Sequence, residues 1–316
     1  MKYKKLDVSK IKTYSLSSRK SKVGEGAAAI PFATGSSFRD FMDSLPKILA
    51  ADSLRAVARS VADATRGGRT VILGMGAHVI KVGLSPVIID LMEKGVINAL
   101  AMNGACVVHD FEIAFQGKTS EDVDAEIGEG TFGMAEETGN LINRAIAEGV
   151  GDGLGLGAAV GKMIEARGEI FKFPDKSLLA AAYRLNIPAT VHVAIGTDII
   201  HMHPSCDGAA TGEASLRDFR TFCSVVSSLE GGVYINLGSS VLLPEVFLKA
   251  VTLARNLGSP LKDITTVNMD FIQSYRPNTN VVRRPTMKGG KGYSLTGHHE
   301  IMFPLLEAVV LEELGN

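Results

Sequence analysis

The stretch Thr70-Val-Ile-Leu-Gly-Met-Gly76 decides how the chain is read. A short apolar run closed by glycine reads as a strand buried on both faces, and the glycines read as a tight turn into a helix. The same unit recurs on either side. Upstream, Ser37 stands as an N-cap before helical spacing through Phe38, Phe41, Met42 and Leu45, and a helix over 52–65 stops at Gly67-Gly68. Downstream, a helix over 86–94 leads to a strand over 96–102, and Asn103-Gly104-Ala105 opens a helix over 107–115. Further strands are expected at 189–195, 232–237 and 264–269, with helices at 175–185, 215–228, 244–257 and 300–314. This alternation predicts an α/β fold, a mainly parallel Rossmann-like sheet with helices on both faces, in a single domain over 38–316. Residues 120–167 break the pattern with two glycine clusters. They are expected to form a helical, glycine-rich insertion over the sheet edge, placed to act as a lid.

The 316 residues are 46% hydrophobic with a formal charge of −1: material for a large core, and no excess of cations calling for nucleic acid or an anionic membrane. Residues 1–37 form a basic N-terminal arm without the apolar stretch of a secretory signal, expected to be mobile or to dock on a neighbouring subunit. Three cysteines without CxxC spacing fit a reducing, cytoplasmic setting, and no apolar run reaches the roughly 20 residues of a membrane span.

Several motifs have plainer explanations. Gly74-Met-Gly76 meets only part of the dinucleotide fingerprint, because Val79 occupies its last glycine position. Gly161-Lys162 is no P-loop, since Leu156 and Met163 replace the required glycine and hydroxyl residue. Gly238-Ser239-Ser240, between a strand and a helix, offers backbone N–H groups and hydroxyls to an anion, and reads equally as an ordinary cap. Cys106 at a helix start is read as a small buried hydrophobe rather than an activated thiol. The run from Arg276 to Lys291 is too irregular for a helix and reads as a solvated loop or a cover for an anionic ligand.

Six of the seven histidines, all but His192, fall in expected strand-to-helix connections, where open parallel sheets bind their ligands. His201 and His203 alternate along the chain and, with His298 and His299, form the candidate ligand set of a metal ion; substrate binding or helix capping is the competing reading.

In order along the chain, these segments resemble the deoxyhypusine synthase family over roughly three quarters of the sequence. Val71-Ile-Leu-Gly74 resembles the family's first cofactor strand, and the segment from Leu100 to Asp110 stands where the family has TTAGG followed by acidic residues. Gly196-Thr-Asp198 resembles its GD segment, Leu237-Gly-Ser-Ser-Val241 its LGGGV, and Phe303-Pro-Leu-Leu306 its terminal FPLL. The resemblance implies NAD bound at the subunit interfaces of a homotetramer. It also implies aminoalkyl transfer from spermidine through an enzyme lysine imine, or, in some bacterial relatives, synthesis of homospermidine from putrescine. An amine nucleophile suits that chemistry.

The departures are as informative. Counting from Arg276-Pro277 or back from Phe303 puts Pro285 at the family's lysine, and the chain has no tryptophan for its SWGK-like segment. Pro244 replaces a polyamine-contacting histidine, and His109 stands near an acidic cofactor contact. Arg276, Arg283 and Arg284 turn an acidic loop basic, which would repel a polycation. The expectation is therefore an NAD-dependent transferase on a small-molecule amine. Its cofactor contacts are Gly74, Gly76, Asn103, Gly104, Gly238, Ser239, Asn268 and Asp270. Asp198 and His203 do acid–base work, and Lys288 or Lys291 stands in for the missing lysine. A metal-dependent enzyme built on the histidines and a non-catalytic tetrameric binding protein are the alternatives.

Overall fold

The computed structural model describes residues 3–315. The chain divides into two compact units that meet between Asp52 and Ser53. In the first, Met42 is the only buried residue among those described. Its helix Phe38–Ser44 starts on a capping box in which the Ser37 hydroxyl accepts from Asp40 N and the Asp40 carboxylate accepts from Ser37 N.

The second unit holds six strands: β1 Val71–Met75, β2 Ala99–Asn103, β3 Ala189–His192, β4 Val233–Leu237, β5 Thr265–Asp270 and β6 Lys291–Thr296. Every neighbouring pair is parallel, and the order across the sheet is β3-β2-β1-β4-β5-β6. β1, β4 and β5 are buried at every residue, which requires cover on both faces. One face packs Ile72, Ala101 and Tyr234 against Phe222 of the helix Gly208–Ser227 and Phe247 of the helix Leu242–Asn256. The predicted α/β class and parallel sheet are thus what the chain forms.

Three elements differ from expectation. The helix Gly208–Ser227 starts seven residues earlier than the spacing predicts, because the Asp207 carboxylate accepts from Ala209 N and Ala210 N and caps it there. The run after Arg276 is not an irregular loop. It winds as a short helix, Tyr275–Pro277, then a π-helical turn over Asn278–Arg283, before β6. β6 itself escapes alternation analysis because, as the edge strand, it buries only Leu295.

The region 120–167 contains the helices Glu136–Gly151 and Leu156–Ala166. The second lies flush on β3: a Cβ at Gly157 would fall 1.9 Å from the Ala189 carbonyl oxygen. This part of the segment belongs to the core.

Tyr234 lies stacked on Phe247, 3.7 Å between ring centroids, with its hydroxyl buried and unpartnered among the described residues. Tyr234→Phe removes that unsatisfied group and keeps the ring. It is expected to raise stability by about 1 kcal/mol in urea denaturation.

Candidate functional site

Between β1 and β4 the strand order reverses, and in a parallel sheet a crevice opens there, outside the carboxyl ends of the strands. Here two backbones converge. Gly76 N donates to the Leu237 carbonyl at 2.9 Å, and a Cβ at Gly76 would meet the Gly238 carbonyl oxygen at 2.3 Å. Gly238 has φ +66°, and a Cβ on it would come within 2.6 Å of the His299 ring. Only glycine combines that turn with that approach. The two glycine backbones therefore pack directly on each other, with an imidazole against Gly238.

His299 is buried at the start of the helix His299–Leu314, and both its ring nitrogens lack a hydrogen-bond partner among the described residues. Its Nε2 lies 3.5 Å from Asp270 Oδ1. That carboxylate is oriented by Phe271 N at 2.8 Å on Oδ1 and by the Ser240 hydroxyl at 3.4 Å on Oδ2. Phe271 is half exposed and lies parallel to His298, with centroids 6.0 Å apart, while His78 meets His299 edge-on at 5.6 Å. Rings and a buried carboxylate thus gather beside the Gly238 backbone.

The other expected cofactor residues stand elsewhere. Gly74 lies mid-strand under Tyr234, and Asn268 is fully buried between Asn236 and Gln273, a polar chain beneath the crevice. Ser239 is buried and caps the following helix by accepting from Leu243 N. Asn103 accepts from Cys106 N and so starts the helix Gly104–Gln116. Cys106 is buried with its thiol pushed up by desolvation, in keeping with a small hydrophobe.

Asp198 packs on Gly104, where a Cβ would meet its Oδ2 at 2.1 Å. Burial holds this carboxyl above the usual range, and its Oδ2 has no hydrogen-bond partner among the described residues. His201 faces its own loop, its Nδ1 accepting from Gly196 N and Asp198 N. His203 turns to the helix Glu136–Gly151, with its ring against Gly139 and Nε2 3.5 Å from Glu136 Oε2. Lys288 is exposed and precedes β6, at the amino-terminal edge of the sheet opposite the crevice, so it does not join Asp198 within one chain. Among the described residues no three His, Cys, Asp or Glu gather as a metal site: His201 and His203 serve their own loop and helix, while His299 sits at Asp270. The histidines of the metal reading are thus not brought together among the described residues of one chain.

No protein-family model matches the chain, and no curated protein matches it. Solved structures do. AgrE, determined as a ternary complex with ornithine and NAD+, aligns over 89% of this chain and 34% of its own at 17% identity, TM-score 0.55. An LOR/SDH protein from Methanococcus maripaludis S2 aligns over 84% of this chain and 71% of its own at 17% identity, TM-score 0.53. A protein named as a deoxyhypusine synthase from Entamoeba histolytica aligns over 90% of this chain and 96% of its own at 13% identity, TM-score 0.50.

What is shared is the fold. At these identities the likeness extends to architecture alone, and the chain spans about a third of the length of AgrE. The resemblance to deoxyhypusine synthases holds at that level. No helix among the described residues is long and apolar enough to cross a membrane.

Sequence reading placed His78 among the strand-end histidines without giving it a role, and missed Phe271 at the crevice. Phe271 carried a usable signal, a large apolar side chain directly after the acidic end of β5.

Proposed function

We propose that the protein is an enzyme that binds NAD in the β1/β4 crevice and acts on a small amine. The reaction would be a deoxyhypusine synthase-like aminoalkyl transfer without the family's lysine. The observation that carries this reading is the meeting of the Gly76 and Gly238 backbones where the strand order reverses. A fold relative that holds ornithine and NAD+ together supports it.

The residues present fit a dinucleotide. Gly76 and Gly238 keep side chains off the floor, Asp270 presents an oriented carboxylate, and Phe271 with His298 offers flat apolar faces to a ring. His299 has two nitrogens to offer. Bound NAD supplies a hydride acceptor, while the chain's residues hold and orient it and exclude water. Asp198 and His203 remain the proposed acid–base residues, although each now has a structural neighbour to serve. Lys288 enters the reading only if a neighbouring subunit brings it to the site, within the homotetramer implied by the resemblance. The cytoplasm is the proposed compartment.

Isothermal calorimetry with NAD tests the proposal. Saturable heat is expected, and no binding at millimolar ligand overturns it. Sedimentation tests the tetramer separately.

A further inference from the structure

On the β2 side of the same sheet edge, the helix Gly104–Gln116 and the chain that follows it wall a second cleft. Lys81, His109, Glu112, Glu121, Phe132 and Asp198 are among its lining residues. His109 and Glu112 lie one helical turn apart with side chains 13% and 11% exposed, and Thr119 bridges them. The Thr119 hydroxyl donates to Glu112 Oε2 and lies 2.6 Å from His109 Nδ1. Burial pushes the Glu112 carboxyl up, while the Thr119 and Thr138 hydroxyls that donate to it hold it down; ionised, it only accepts, and a threonine hydroxyl has a single hydrogen. That hydrogen is given to Glu112, so Nδ1 of His109 must bring its own. The imidazole is thereby fixed as the Nδ1–H tautomer, with a lone pair on Nε2. Thr138 donates to the other oxygen of Glu112 at 3.2 Å, which anchors the relay at its far end.

Burial first, and the charge of Lys81 second, bring His109 down to about 4, so the ring is neutral at physiological pH. Asp198, which also lines the cleft, holds its carboxylate oxygen Oδ2 buried against Gly104 with no hydrogen-bond partner among the described residues. His109 Nε2 is thus an acceptor in the cleft wall with no hydrogen-bond partner among the described residues, and such an acceptor calls for a donor. A ligand can bring it.

We propose that this cleft takes a small molecule through an N–H or O–H group, that His109 Nε2 accepts a hydrogen bond from that group, and that Thr119 and Glu112 are positioning residues that fix the tautomer. The ligand keeps its hydrogen, and the imidazole stays neutral. The proposal does not depend on NAD, and its test is run without nucleotide, so either reading can fail alone.

The experiment is nitrogen NMR of the full-length protein labelled on histidine, with His109 assigned from His109→Gln. The Nδ1–H tautomer is expected in the wild type, lost in Thr119→Val and restored in Thr119→Ser. Glu112→Gln supplies a second tautomer-breaking variant should Thr119→Val not fold. Titration with n-butylamine or 1-butanol should move the His109 Nε2 resonance saturably, and which of them acts tells N–H from O–H recognition. Butyltrimethylammonium, charged but without a donor, should leave it unmoved. An Nε2–H tautomer in the wild type, no shift with either donor, or an equal shift with butyltrimethylammonium overturns the proposal.

Discussion

Gly76→Ala is expected to lower stability by roughly 1–3 kcal/mol and to abolish NAD binding. The added methyl would stand 2.3 Å from the carbonyl oxygen and 3.0 Å from the carbonyl carbon of Gly238. Both are backbone atoms, so no rotamer change relieves the contact. The ends of β1 and β4 have to part, and the hydrogen bond from Gly76 N to the Leu237 carbonyl is strained with them. In urea denaturation the midpoint should fall at an unchanged slope, and calorimetry with NAD should go flat. Gly212→Ala is the control. Gly212 is an exposed position in the helix Gly208–Ser227 with open space around its Cβ, and alanine there should stabilise by about 0.5–1 kcal/mol. Wild-type NAD affinity in the Gly76 variant would remove the crevice from the proposed site.

The reach of the sequence follows from the same geometry. β1, β4 and β5 were legible because strands buried on both faces are continuous apolar runs bounded by turn residues, a pattern that needs no knowledge of neighbours. β6 was not, because Lys291-Gly-Tyr-Ser-Leu-Thr296 takes its place from pairing with β5 rather than from its own composition. Gly76 and Gly238 could be marked as turn glycines, yet their mutual approach spans a long sequence separation and only the strand order reveals it. The histidines show the opposite limit. Their placement in strand-end loops was readable, but whether four imidazoles converge depends on side-chain direction, and here they turn to different partners. The Glu112–Thr119–His109 relay was hidden for a related reason: its middle member lies beyond the helix, where spacing carries no periodic signal.

Asp110→Ala should cost several kcal/mol, because it leaves a set of buried donors without an acceptor at about 1–3 kcal/mol each. Asp110 is fully buried and accepts from the Ser177 hydroxyl at 2.6 Å, Leu178 N at 2.7 Å and Leu179 N at 3.2 Å. It thereby tethers the helix Leu178–Arg184 to the helix Gly104–Gln116, next door to His109. Asp218 does the same on the other side of β3, accepting from Gly157 N at 3.0 Å and Val191 N at 2.8 Å. For both, desolvation outweighs the donors and pushes the carboxyl up from the ordinary 3.8, to about 6 for Asp110 and about 7 for Asp218. A carboxyl raised in the folded state binds its proton more tightly there than in the unfolded chain. Its contribution to stability is therefore full below the unfolded value and is lost as pH rises through the folded one. Between pH 3.8 and about 7 the wild type should weaken with rising pH relative to a variant carrying Asp110→Asn and Asp218→Asn, in which this titration is gone. Urea midpoints across that window measure the difference directly. A difference that stays constant, or that grows in the wild type's favour as pH rises, would mean that the backbone donors hold both carboxylates ionised. In that case the two tethers are charge-assisted staples rather than proton-binding ones.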